Sequence, residues 1–165
     1  MKVRDIMTKQ PKACGPDTNV AAAAGLMWAN DCGVLPVVDD GKLAGIITDR
    51  DICIALGTRN RPAAEIPVKD VATREVQTCT PDDSVETAMA TMRRAKVRRL
   101  PVVSDGGKVE GMVALNDLVL AADRKRWEVD YDQVVDTIRA VSEHRGCKPS
   151  EPEKFKLPPI PVVVA

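Results

Sequence analysis

Val3-Arg4-Asp5-Ile6-Met7-Thr8 returns 65 residues later as Val68-Lys69-Asp70-Val71-Ala72-Thr73. The same offset relates Cys14-Gly15-Pro16-Asp17-Thr18-Asn19-Val20 to Cys79-Thr80-Pro81-Asp82-Asp83-Ser84-Val85, and Leu35-Pro36-Val37-Val38 to Leu100-Pro101-Val102-Val103. One offset shared by three separated segments marks an internal duplication. After a one-residue insertion in the second hairpin, Gly45-Ile46-Ile47 aligns with Gly111-Met112-Val113, and the repeat carries on to about Ala122.

Each repeat reads in the same order. A short strand precedes Pro16 or Pro81, and a helix starts in the Asp17 or Asp83 region, where Asp83-x-x-Glu86 fits a capping box. Val20, Ala24 and Met27 in the first helix, and Val85, Met89 and Met92 in the second, share a face at helical spacing, which makes these methionines core residues. Two β-branched strands joined by a glycine turn follow, Leu35 to Val38 with Leu43 to Ile47, then Leu100 to Val103 with Val109 to Val113. A second helix runs from about Asp49 to Leu56 and stops at Gly57; its twin runs from about Asn116 to the Ala121-Ala122 region. The fold class is α+β with an α/β-like order, two tandem β-α-β-β-α repeats. Neither repeat buries enough apolar surface alone, so the two sheets are expected to pack on each other about a pseudo-twofold axis. The expected layout is repeat 1 over 1–57, a linker over 58–67, repeat 2 over 68–122, a C-terminal helix over 123–146 and a Pro-rich extended tail over 147–165.

Composition excludes several function classes. Lysine plus arginine and aspartate plus glutamate both number 24, so no global field draws in nucleic acid or an anionic membrane. Val20 to Ala29 is too short to cross a bilayer, and the opening residues lack a secretion signal, so a cytoplasmic location without membrane insertion is expected. The 5 cysteines include no C-x-x-C pair and His144-x-x-Cys147 is too small a match, so neither a disulfide framework nor a metal site is expected. No nucleophile motif supports catalysis.

The two openings, the two Leu-Pro-Val-Val strands and Gly45-Ile46-Ile47-Thr48-Asp49-Arg50-Asp51 together resemble the CBS domain, which occurs in pairs called Bateman modules; the resemblance covers residues 3 to 122. It implies a cleft between the repeats that holds AMP, ADP, ATP or S-adenosylmethionine, whose occupancy is relayed to an enzyme or transporter.

Thr48 and Asp51 stand three residues apart at a strand-to-helix turn, so both project at the helix mouth. There a phosphate can sit on free backbone N–H groups with a contact from Thr48, while Asp51 accepts from a ribose diol. Thr48-x-x-Asp51 is equally a capping box that serves the helix alone. The resemblance assigns the threonine and aspartate the ligand roles and places adenine beside Ala13, Cys14, Val34, Leu35 and Pro36. The second mouth keeps Asp117 but has Ala114 for Thr48, so the first site is favoured. Arg98 and Arg99 stand where the resemblance puts phosphate-reaching basic residues, and they read equally as a solvated helix end and loop.

Past the repeats, Val129, Val134, Ile138 and Val141 give a helical stripe within Trp127 to His144. The tail holds Phe155 and Val162-Val163-Val164, out of character for a linker, and either is disordered, adds a strand to an edge or docks on a neighbouring protomer. The expected function is a non-catalytic adenine-nucleotide sensor, dimeric and coupled to a partner protein. The alternatives are a ligand-free interaction scaffold, an S-adenosylmethionine sensor, and thiol redox sensing through Cys14, Cys79 or Cys32.

Overall fold

The computed structural model describes residues 1–122 and 129–143. The tail, with His144 and Cys147, lies outside the described residues. The elements are α1 (Val3–Ile6), β1 (Thr8–Lys9), α2 (Val20–Ala29), β2 (Val34–Asp39), β3 (Lys42–Thr48), α3 (Asp49–Arg59), α4 (Val85–Ala95), β4 (Arg99–Val103), β5 (Val109–Ala114), α5 (Leu115–Ala121) and α6 (Tyr131–Ser142), with single 3-10 turns at Ala63–Glu65 and Val68–Asp70.

Each repeat folds around an antiparallel hairpin. In β2–β3 Val34 stands opposite Thr48 and Asp39 opposite Lys42. The connection bends through Asp40 at φ 46° and Gly41 at φ 75°, the two left-handed residues that a tight Asp-Gly hairpin turn needs. In β4–β5 Arg99 faces Ala114. A leading segment adds to each hairpin in parallel at one residue: Cys14 bonds Pro36 and Val38 at 3.1 and 2.8 Å, and Cys79 bonds Pro101 and Val103 at 3.1 and 2.9 Å.

The openings of the repeats are exchanged. β1 pairs not with its own hairpin but with β5, Thr8 opposite Met112 and Lys9 opposite Gly111. Reciprocally, Thr73 bonds Ile46 in both directions at 2.9 Å. Val3 accordingly sits in the repeat 2 core with Met89, Leu100 and Val113, while Ile66 and Val68 complete the repeat 1 core with Val20, Leu35 and Ile47. The pseudo-twofold arrangement is therefore knitted by backbone as well as packed.

This crossing explains the glycine that opens each motif. A Cβ on Gly45 would lie 2.8 Å from the Thr73 carbonyl oxygen, and one on Gly111 would lie 3.0 Å from the Thr8 oxygen and 2.5 Å from the Met7 sulfur. Only glycine lets the other repeat's backbone approach so closely.

Several local expectations need correction. In α2 the buried alanine is Ala23, not Ala24. Asn19 caps the helix through the Ala22 N–H at 2.8 Å, and from that start the core stripe runs 20, 23, 27. The Asp83–Glu86 box does not form: Ser84 caps α4 through the Thr87 N–H, and Asp83 instead accepts from the Thr80 N–H at 2.8 Å. Helix α3 passes Gly57 and ends at Arg59, because the left-handed cap is Asn60 at φ 48° and Arg59 is held by the Asp70 carbonyl.

Helix α6 covers 131–142 of the expected 123–146 and packs on α4 and α5. Its inner stripe is Val134, Thr137 and Val141, with Ile138 half-exposed. The fully buried Thr137 accepts from Arg93 at 2.8 Å and donates to the Gln133 carbonyl at 2.7 Å, and Lys96 pairs with Glu143 at 2.9 Å.

Candidate ligand-binding site

The residues expected around the first site form one contiguous strip. Ala13 leads into Cys14, which bonds the Pro36 carbonyl; Val34 stands opposite Thr48; Thr48 caps α3 and meets Asp51. Side-chain alternation divides them. Leu35 is fully buried with Ile47 and Val20, so its side chain belongs to the core, while Val34 and Pro36 point to the other face of the strand. Cys14 is buried and its desolvated thiol is raised above the ordinary value.

At the mouth of α3 the capping box is complete. The Thr48 N–H donates to Asp51 Oδ2 at 2.9 Å and the Asp51 N–H to Thr48 Oγ1 at 3.2 Å. The Thr48 hydroxyl also donates to Asp51 Oδ2 at 2.7 Å. The remaining first-turn donors are taken as well, Asp49 N–H by the Gly33 carbonyl at 3.2 Å and Arg50 N–H by Asp49 Oδ1 at 2.7 Å. The expected set of free backbone N–H groups is therefore absent here, since the Gly33 carbonyl and the side chains of Asp49, Thr48 and Asp51 occupy them. Among the described residues Asp51 Oδ1 carries no hydrogen bond, and Asp51 is half-buried. A half-buried carboxylate oxygen left open is an acceptor for a hydroxyl pair and a poor neighbour for a phosphate.

The second mouth has the opposite character. The Ala114 N–H donates to Asp117 Oδ2 at 2.7 Å, but Ala114 has no oxygen to return to the Asp117 N–H, and Leu115 stands where Asp49 would consume the next donor. The Leu115 N–H bonds the Arg98 carbonyl at 3.0 Å as Asp49 bonds Gly33. A Cβ on Gly33 would meet Asp49 Oδ2 at 2.8 Å; with leucine in place of that aspartate, the second repeat has room for an arginine. Arg98 and Arg99 are exposed, and their side chains make no ion pair among the described residues. Sequence reasoning missed Asp49 and Gly33 as the pair that sets the two mouths apart, although the Asp49-to-Leu115 exchange is visible in the aligned repeats.

Between the hairpins a cavity of about 230 Å³ is lined by Leu43, Gly45, Arg74, Val76, Thr78 and Val103 from both repeats. Thr78 is the repeat 2 counterpart of Ala13. The CBS-domain profile matches residues 3–58 and 68–124, both repeats. The chain belongs to the CBS-domain family. Among CBS relatives, the CBS domain-containing protein YhcV of Bacillus subtilis (strain 168) is 37% identical over 118 residues, 72% of this chain and 83% of that one. Inosine-5'-monophosphate dehydrogenase of Mycobacterium leprae is 34% identical over 114 residues, which are 68% of this chain and 21% of the enzyme, so its CBS pair is a module separate from most of that protein. The solved CBS domain pair of protein MJ0100, in complex with 5′-methylthioadenosine and S-adenosyl-L-methionine, superposes with a TM-score of 0.67 at 30% identity, covering 73% of this chain and 94% of that one. A CBS pair is a regulatory module, and chains built of CBS repeats alone are generally non-catalytic. No described helix is long and apolar enough to cross a membrane.

Proposed function

We propose that this CBS pair senses adenosyl ligands at two unequal sites and passes occupancy to a partner protein, with no catalysis of its own. The observation that carries the reading is the half-buried Asp51, whose Oδ1 accepts no hydrogen bond among the described residues, at the end of the run that links Cys14 to Pro36 and Val34 to Thr48. That oxygen suits the ribose diol of an adenosyl group whose base lies along Ala13, Cys14, Val34 and Pro36. With the helix donors spent and Asp49 nearby, the first site favours a neutral or cationic adenosyl compound such as S-adenosylmethionine over AMP, ADP or ATP. Phosphates belong to the second mouth, where Asp117, Arg98 and Arg99 stand with fewer competing acceptors. The 5′-methylthioadenosine and S-adenosyl-L-methionine held by the MJ0100 domain pair fit the first of these chemistries.

Occupancy acts as a population shift, because a ligand held by both repeats favours one relative setting of the two knitted hairpins. The unit that a partner reads is a homodimer of modules in the cytoplasm. The competing reading, a ligand-free scaffold, is favoured by the complete bonding of Thr48 within its own capping box.

A thermal-shift series separates the two. S-adenosylmethionine, 5′-methylthioadenosine, AMP, ADP and ATP are each added at 100 times their dissociation constant, where one site stabilises by about 2.7 kcal/mol, or roughly 5–10 °C for a chain of this size. The sensor reading expects Asp51→Ala to abolish the response to the first two and Arg98→Ala with Arg99→Ala to abolish the response to the nucleotides. No shift with any compound establishes the scaffold.

A further inference from the structure

The two hairpins differ in length at their turns. Asp40-Gly41 joins β2 to β3, whereas Asp105-Gly106-Gly107 joins β4 to β5. In the longer turn the Ser104 N–H donates to the Lys108 carbonyl at 2.9 Å and the Gly107 N–H to the Ser104 carbonyl at 2.8 Å, with Gly107 left-handed at φ 81°. This is the three-residue hairpin loop, closed by one left-handed residue that glycine supplies. The Gly107 carbonyl reaches the other repeat, where it accepts the Leu43 N–H of β3 at 2.9 Å. Among the described residues this is the one backbone bond that runs from hairpin to hairpin; Thr73 on Ile46 and β1 on β5 belong to the exchanged openings. The pseudo-twofold mate of Leu43 is Val109, and the two-residue turn of the first hairpin has no residue to match Gly107. The tie is therefore one-sided.

Leu43 and Gly107 also form one wall of the cavity of about 230 Å³ between the hairpins, across from Gly45, Val76 and Thr78. Both are half-buried, so water reaches the bond that joins them. A single neutral backbone bond in that setting favours the closed form by roughly two- to tenfold. The exchanged openings are held far more firmly, by several backbone bonds and by the fully buried Val3 and Val68. The Gly107 wall is the weakest closure of the cavity, and its neighbour Gly106 stands in open space, where a Cβ would meet nothing within 4 Å.

We propose that the Asp105-Gly106-Gly107 turn is a strap across the inter-hairpin cavity: bonded to Leu43 it closes the cavity and sets the spacing of the hairpins, and released it lets a ligand pass. The inference rests on the reading that an adenosyl compound is held between the repeats, and it adds how entry is controlled. A strap shut both before and after entry governs the rate of exchange and leaves affinity nearly untouched. Damage to the site itself would instead speed departure alone.

The test measures association and dissociation rate constants of 5′-methylthioadenosine on the immobilised full chain by surface plasmon resonance. Deletion of Gly106 gives the second turn the length of the first. Leu43→Pro removes the donor while the turn keeps its length, at a strand-edge position of the kind that accepts proline. Both variants are expected to raise the two rate constants about three- to tenfold, with Kd within about twofold of wild type, while Gly106→Ala, which keeps the turn length, behaves as wild type. Hydrogen exchange supplies a readout without ligand: the Leu43 amide is protected in the wild type and loses that protection on deletion of Gly106, while the Ile46 amide, bonded to Thr73, keeps its own. An unchanged association rate in both variants, a rise in dissociation alone, or an unprotected Leu43 amide in a wild-type chain that binds the ligand overturns the strap and leaves the sensor reading standing. No binding of any adenosyl compound to the wild type refutes that reading and the strap together.

Discussion

The two helix mouths offer a reciprocal experiment, because repeat 2 already carries at Ala114 the substitution that would dismantle the box of repeat 1. Thr48→Ala removes the acceptor of the Asp51 N–H, a long bond of 3.2 Å, and the hydroxyl donated to Asp51 Oδ2 at 2.7 Å. It leaves the Thr48 backbone N–H on that carboxylate at 2.9 Å. Loss of a threonine cap costs about 1 kcal/mol, within a range of roughly 0.5–2, and half-burial with one bond surviving puts this case near the middle. For a chain of this length that is about 2–4 °C in Tm. Ala114→Thr should move the other way by a smaller amount, since the Ala114 φ of −120° and ψ of 163° nearly equal the Thr48 values of −116° and 162°, so the new hydroxyl finds its geometry prepared. Thermal unfolding followed by far-UV circular dichroism on the two single variants and the double variant reads both signs. If Ala114→Thr destabilises, or Thr48→Ala is neutral, the view that the two mouths differ by one interchangeable cap is wrong.

Gly45→Ala drives a methyl to within 2.8 Å of the Thr73 carbonyl oxygen, so backbone must move; a loss of about 1–3 kcal/mol in urea unfolding is expected, with Gly41→Ala as a separate control on the hairpin turn. Thr137→Val strips the hydroxyl that accepts from Arg93 at 2.8 Å and strands a half-buried guanidinium, which costs about 1–3 kcal/mol and should raise hydrogen exchange in 131–142 first. The thiols give a pH dependence: burial raises Cys14 and, together with Asp83, pushes Cys79 up to about 12 from 9.0. Because the folded values are raised, this stability is fully present below the unfolded pKa and is lost as pH climbs from about 9 towards 12. Iodoacetamide at pH 8 should therefore label the exposed Cys53 well before Cys14 or Cys79, and rapid labelling of Cys79 in the folded chain would contradict the packing described.

The duplication was legible because a single offset aligns motifs of different type, and it carried the hairpins, the second helices and the pseudo-twofold relation with it. The exchange of openings was not, since nothing in Met7-Thr8 or Ala72-Thr73 tells which hairpin they join; the trace they leave is the glycine at 45 and at 111, which reads as a close approach only once the crossing strand is seen. Four consecutive alanines, 21–24, leave the buried face of α2 undecided until the start is fixed at Val20. Ile138 outranks Thr137 on hydrophobicity, yet Thr137 lies inside because Arg93 satisfies its hydroxyl. The spacing of Thr48 and Asp51 encodes the capping box that forms, while their ligand roles come from the resemblance alone and the state of the donors between them depends on Asp49 folding back onto its neighbour's N–H, a local choice of rotamer that spacing does not encode.

Calorimetric titration of S-adenosylmethionine into the wild-type chain and into Asp51→Asn reads whether the unbonded Asp51 oxygen takes part in binding. Asparagine retains the shape and an acceptor for the Thr48 N–H but removes the charge from the oxygen left open. If that oxygen holds a ribose diol, affinity falls by the worth of a charged hydrogen bond, about 1.5–3 kcal/mol, or roughly tenfold or more, with the fold intact by circular dichroism. Equal affinity in the two chains would contradict the account.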